Sequence, residues 1–366
     1  MPALGLSYDL RIDGFTSILV LWIALLALLA LLSAASRDLG RRDTCLILLA
    51  ETALLGLLTA GDGVLFLAFY GAGLMAFTFI LGRAEEMKAF FLFQAAGATL
   101  AVVYLAICYY LSWVQTGFPS AEIARLPSLV TYPDFQSRMF FLGAAAVAFA
   151  APLFPLTPWI SSATSTLAAP MRLFLLGGWS LAGTLFFVRA VLPSHFRSEG
   201  ALFLSALAAL SLLYAGLASR RSWAPLLAGL QGLVVLGLLS PSAEGVAAGR
   251  AGMLQLALSL STLSLWKADS ENARGPALGS VLAVLMFLPA SWIVLRELWT
   301  TSPVLAALAG LGLLLMVSRV VRTLPPLSPR RSVLLLPILG FWILSLLAPF
   351  RFLPEDAKAP ATTEEE

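Results

Sequence analysis

Phe15-Thr16-Ser17-Ile18-Leu19-Val20-Leu21-Trp22-Ile23-Ala24-Leu25-Leu26 opens an apolar run that continues to residue 36, with no charged side chain between Asp13 and Arg37. As an α-helix, about 20 such residues cross the hydrocarbon core of a bilayer. Helix is the economical solution there, because it satisfies every backbone polar group within the segment. The same pattern recurs along the chain. Candidate spans are 15–36, 44–60, 62–82, 88–113, 138–156, 168–193, 200–218, 222–240, 250–267, 277–296, 302–321 and 332–351. The expected fold is therefore all-α, a polytopic transmembrane bundle of about 12 helices. It occupies 1–351 as a single domain, and 352–366 forms a solvated tail.

Composition agrees. Of 366 residues, 60% are hydrophobic and 12% charged, about half the charged share of a soluble domain. Mean hydropathy is +0.91. A net charge of +3 is too small and dispersed to point to nucleic acid. Cys45 and Cys108 are far apart in apolar surroundings, and His195 is the sole histidine. That inventory offers no metal-ligand set, no disulfide framework and no histidine relay. The first apolar run lacks a cleavage pattern and reads as a retained helix. An even number of spans puts both termini on one side. Basic residues lean toward the side of Arg37, Arg41, Arg42, Arg83, Lys88 and Arg220, away from that of Arg11, Arg125, Arg189 and Arg250. By the positive-inside rule, both termini are expected outside the cytoplasm.

Charge within an apolar span is costly and marks a candidate site. Glu51, in Leu48-Leu49-Ala50-Glu51-Thr52-Ala53, is either a protonatable station or a neutral acid hydrogen-bonded to a neighbouring helix. Arg296-Glu297 reads from periodicity as a tight loop; Pro289 and Ser291 just before it allow a broken helix over 289–297 instead. Pro152, Pro155 and Pro158 punctuate the end of the fifth span and break a helix near 150–158. Arg172 reads as a snorkelling interface residue, and Gln231 and Gln255 as interhelical glue. No nucleophile–base pair, phosphate loop or metal cluster is present. From the residues alone, a transporter and an assembly subunit both stay open.

A resemblance narrows this. Asp9-Leu10-Arg11-Ile12-Asp13-Gly14-Phe15, Ala151-Pro152-Leu153-Phe154-Pro155-Leu156-Thr157-Pro158-Trp159, Ala169-Pro170 before a helix ending at Arg189, Arg220-Arg221, Gln255, Pro289 with Glu297, and Leu327-Ser328-Pro329-Arg330-Arg331 occur in this order. Together they resemble the antiporter-like membrane subunits of proton-pumping NADH:quinone oxidoreductase, closest to the M type. Mrp antiporters and membrane-bound hydrogenases have subunits of the same family. The similarity spans nearly the whole chain, starting at what is the family's third helix. Each motif is degenerate; their order is the strong part.

The resemblance implies a central row of charged residues carrying protons, and most of that row is missing. The family's Phe-Trp-Glu is matched by Phe69-Tyr70-Gly71. Its two lysines fall at Ala150 and Leu181, and its histidine at Ser259; Glu297 alone is kept and would then lie at membrane depth. Apolar stations neither titrate nor hold a charge, so the expected protein is a divergent structural or coupling subunit of a complex-I-type ion-pumping assembly. By the resemblance it is a non-catalytic component of an energy-transducing, bacterial inner membrane, packed against other integral membrane subunits. NADH, flavin, iron–sulfur cluster and quinone have no site in this chain, so no cofactor is expected. The alternative is an active proton or cation translocator using Glu51 and Glu297.

Overall fold

The computed structural model describes residues 7–35, 40–82, 84–129, 132–160, 167–195, 200–218, 224–268, 291, 293–300 and 302–321. These fold as packed helices: α1 (Gly14–Ala35), α2 (Arg41–Thr59), α3 (Gly63–Leu81), α4 (Ala84–Thr116) and α5 (Pro133–Ala150). After a break come α6 (Ala169–Gly177), α7 (Ala182–Phe186), α8 (Leu192–His195), α9 (Gly200–Leu217), α10 (Ala224–Leu238) and α11 (Ala243–Ala268). A helical stretch over 293–300 and α12 (Pro303–Val321) complete the described part. The expected spans 277–296 (apart from its last residues) and 332–351, the tail 352–366, Pro289, Arg220-Arg221 and the Leu327–Arg331 motif lie outside the described residues.

The α2–α3 pair, divided in sequence by little more than Gly61, is two helices. The Asp62 carboxylate caps α3, accepting from the Val64 amide at 2.8 Å. Such a cap satisfies a backbone donor that would otherwise start the helix unpaired. Among the described residues, five helical segments are long and apolar enough to cross a membrane. Their surroundings differ: 94% of Pro170–Val191 is buried inside the protein, against 44% of Gly14–Leu32. Pro170–Val191 is thus the bundle's axis, and the flanking helices turn side chains such as Leu21, Leu28, Phe79 and Leu92 outward. In lipid an exposed leucine costs nothing, so helix packing rests on close fit and hydrogen bonds.

That axis is not the single helix expected over 168–193. A 3-10 turn at Trp179–Leu181 separates α6 from α7, and a π turn at Phe187–Val191 separates α7 from α8. Arg172 also departs from expectation. It is buried rather than snorkelling, and its Nη1 donates to the Leu167 carbonyl at 3.4 Å. Arg296 and Glu297 sit inside helical residues 293–300 and not in a loop; Ser302 is not helical, and the next helix starts at Pro303. Proline prefers the first turn of a helix, where its missing donor is not needed.

Candidate functional site

The fifth span does break where its prolines put the break. α5 ends at Ala150, a turn runs over 151–157, and helix resumes at 158. A break inside a bundle frees backbone polar groups that hydrocarbon cannot satisfy. Here two of them find neutral side-chain partners. The Ala150 carbonyl accepts from Gln94 Nε2 at 3.2 Å, and the Phe154 amide donates to Ser211 Oγ at 2.9 Å. Gln94 is fully buried on α4 and reaches further. Its Oε1 accepts from the Tyr70 hydroxyl at 2.8 Å and from Trp179 Nε1 at 3.2 Å. One amide therefore joins α3, α4, the end of α5 and the 3-10 turn of the axis.

Aromatic rings and small residues hold this hub in place. The Trp179 ring lies 5.0 Å from Tyr70 and 5.1 Å from Phe77 between centroids. Its approach depends on Gly73, where an added Cβ would stand 2.3 Å from the Trp179 ring. Gly97 and Gly183 clamp Ala150 from two sides. A Cβ at Gly97 would meet the Ala150 amide nitrogen at 3.1 Å, and one at Gly183 would meet the Ala150 Cβ at 2.8 Å. Next to Ala150 is a cavity of about 10 Å³ walled by carbon from Phe66, Leu67, Ala101 and Phe186. One water needs roughly 10–15 Å³ measured this way, and two or more polar partners. The cavity is at that threshold and offers none.

The remaining positions singled out in the sequence scatter around this hub. Leu181 ends the 3-10 turn and is buried. Gly71 faces open space, with nothing within 4 Å of where a Cβ would be. Ser259 lies on α11. Glu51 is half-buried on α2 beside exposed Leu48 and Thr52, and among the described residues it makes no hydrogen bond or ion pair. Glu297 is not midway along a span. It stands at the turn between α10 and α11, paired with Arg296 at 2.9 Å, while Arg296 also reaches Glu244 at 2.6 Å in the first turn of α11. Arg296, and then Ser242, hydrogen-bond the Glu297 carboxyl and hold it below its usual range. Pro152 and Pro155 lie in the break.

Gln231 behaves as expected, donating to Thr184 Oγ1 at 2.8 Å and so tying α10 to the axis. The sequence reading missed Gln94, although the same logic applies to a glutamine within an apolar span. The helices of this hub follow a known layout. Over 95% of the chain they superpose on part of the Mrp complex from Dietzia sp. (TM-score 0.75, 18% identity, 44% of that chain). Over 95% they also match respiratory complex I from Thermus thermophilus with bound NADH (0.71, 24%, 82%), and over 93% an archaeal membrane-bound sulfane sulfur reductase (0.73, 18%, 64%). In sequence, the chain is 29% identical over 359 residues to NADH-quinone oxidoreductase subunit 13 of Thermus thermophilus, covering 86% of this chain and 74% of that one. The chain is related to the antiporter-like, M-type membrane subunits.

Subunit M of Rhodobacter capsulatus matches over 174 residues at 26% identity. The match to NAD(P)H-quinone oxidoreductase chain 4 of Gloeobacter violaceus, at 29% identity, takes in 48% of this chain and only 34% of that relative. No protein-family model matches. The chain has a broken fifth span and an interrupted axis that meet inside this bundle. At their meeting point it has a neutral amide, a phenol and an indole.

Proposed function

We propose that this chain is a structural or coupling subunit of a complex-I-type, redox-driven ion-pumping assembly, and that it carries few or no protons along its own centre. The observation behind the proposal is the Gln94 hub. Where the family resemblance implies a lysine, Ala150 is clamped between two glycines, and its free carbonyl is satisfied by an amide that does not titrate. A proton wire needs ionisable or hydrated stations within hydrogen-bond reach. The Ala150 cavity is too small and too apolar to hold the water chain that would bridge the gap.

The subunit would then serve by shape. It packs beside sibling antiporter-like subunits as one transmembrane domain, with both termini outside the cytoplasm, and leaves electron transfer to its partners. The experiment is purification from the native membrane in mild detergent. Obligatory co-purification with other integral membrane subunits is the expected result; a stable solitary monomer contradicts it. The translocator reading makes a separate demand. If Glu51 and Glu297 carry ions, Glu51→Gln and Glu297→Gln each abolish flux in vesicles while assembly stays intact. Among the described residues Glu51 makes no hydrogen bond or ion pair and Glu297 is engaged by Arg296, which favours the structural reading.

A further inference from the structure

One end of the bundle carries the charge that its centre lacks. A cavity of about 240 Å³ lies between the start of α1, the Gly61 turn, the 3-10 helix Ile123–Ser128 and the π turn of the axis. Three guanidinium groups line it, from Arg11, Arg189 and Arg250, with one carboxylate, that of Asp13. These residues are spread across the sequence and brought together by the fold. Their commitments are unequal. Arg11 is neutralised by Asp9 at 2.7 Å and by Glu122. Arg189 donates to the Leu58 and Leu57 carbonyls at 2.8 and 3.3 Å, which are neutral. The buried Nε of Arg250 has no hydrogen-bond partner among the described residues. Asp13 already uses Oδ1 to accept from the Thr16 amide at 2.6 Å. Glu122 is shared with Arg125 at 2.6 Å, so four guanidinium groups (Arg11, Arg125, Arg189 and Arg250) face three carboxylates (Asp9, Asp13 and Glu122), leaving one positive charge unmatched.

We propose that this cavity binds the phosphodiester of an anionic membrane lipid. The guanidinium fork matches two oxygens of a phosphate, and a phosphodiester carries the single negative charge that the walls lack. Two observations favour a lipid over a soluble anion. The cavity lies at the ends of the apolar spans Gly14–Leu32 and Pro170–Val191, and the Arg11 side chain is half-exposed there, the place at which a span of that length would meet headgroups. On the other side of the same 3-10 helix, an apolar groove of about 330 Å³ lined by Val64, Leu67, Val102, Leu105 and Leu126 runs down α3 and α4. An acyl chain whose headgroup sits among the arginines has that groove beside it.

The test uses the full chain purified with its membrane partners and stripped of lipid. Phosphatidylglycerol, diacylglycerol with the same chains, and inorganic phosphate are added separately, and Tm and retained lipid mass are read. The proposal expects phosphatidylglycerol to raise Tm and to be retained. It expects affinity to fall about tenfold or more in Arg250→Gln, and by less in Arg250→Lys, which keeps charge but loses the fork. Equal stabilisation by diacylglycerol, or undiminished phosphatidylglycerol binding in both Arg189→Gln and Arg250→Gln, overturns it. Protection by inorganic phosphate to which phosphatidylglycerol adds nothing overturns the lipid assignment. Should the glutamine variants fail to assemble, the wild-type comparison of phosphatidylglycerol with diacylglycerol still decides.

Discussion

The middle of the bundle and its Arg11 end solve opposite problems with different chemistry. Around Ala150, a broken helix exposes backbone groups deep in an apolar interior, and Gln94, Tyr70, Trp179 and Ser211 satisfy them without any formal charge. Around the Arg11 cavity, guanidinium and carboxylate groups gather where water and headgroups screen them. The contrast follows cost. A charge at the centre of a span costs about 2.5–3.5 kcal/mol or more, whereas a satisfied neutral hydrogen bond in a membrane bundle stabilises by about 0.6 kcal/mol on average. On the proposed reading, a subunit with no proton to carry at mid-span gains by trading ions for amides there, and loses nothing by keeping them at the rim.

Returning an ion to the centre should break the comparison most severely. Ala150→Lys places an ammonium between Gly97 and Gly183 with no room to relax. Overpacking costs about 1–3 kcal/mol and the buried charge at least about 2.5. We expect loss of the folded, assembled protein, measured by yield of monodisperse complex. Gln94→Leu comes next. It strands the Ala150 carbonyl, the Trp179 indole N–H and the Tyr70 hydroxyl, at about 1 kcal/mol or more each. Thermal unfolding should begin several degrees lower, and Gln94→Glu, a neutral acid at this depth, should recover part of the loss.

Gly71→Glu sharpens the comparison by being mild. Open space surrounds Gly71, so the acid that the family resemblance implies fits there without overpacking and can stay protonated rather than bear the cost of a mid-span charge; Tm should fall by less than in Gln94→Leu. A collapse like that of Ala150→Lys would mean that the two positions do not differ as described. The smallest effect concerns pH. The Glu297 carboxyl is held below its usual range, so its contribution is present above the ordinary carboxylate pKa of about 4.3 and fades as pH falls through the lower folded value. Stability should decline slightly more steeply in acid for wild type than for Glu297→Gln, as read by Tm across that range.

Much of this was legible in the sequence. Long uncharged runs gave the all-α membrane bundle, and Pro152, Pro155 and Pro158 gave the first break, because proline removes a donor wherever it stands. The ordered motifs gave the kinship. What stayed hidden depended on tertiary contact. The 3-10 turn at Trp179–Leu181 is built largely from apolar residues that would continue a helix equally well, and the tight packing before it, where a Cβ at Gly178 would meet Leu54 at 2.7 Å, is a tertiary feature. Gln94 matters only because another segment breaks opposite it, and no local pattern around Phe93-Gln94-Ala95 says so. Arg172 looked like an interface residue because burial is a property of the neighbours. For Arg11, Arg189 and Arg250, sidedness was readable and convergence was not.

Whether the centre conducts can be measured directly. Vesicles holding the purified assembly, loaded with a pH-sensitive dye and subjected to a pH step under a clamped potential, report proton entry within seconds. The account predicts the same rate for wild type and for assemblies carrying Glu51→Gln or Glu297→Gln in this subunit. A potential-driven proton current that disappears in either variant, with the assembly intact, would contradict it.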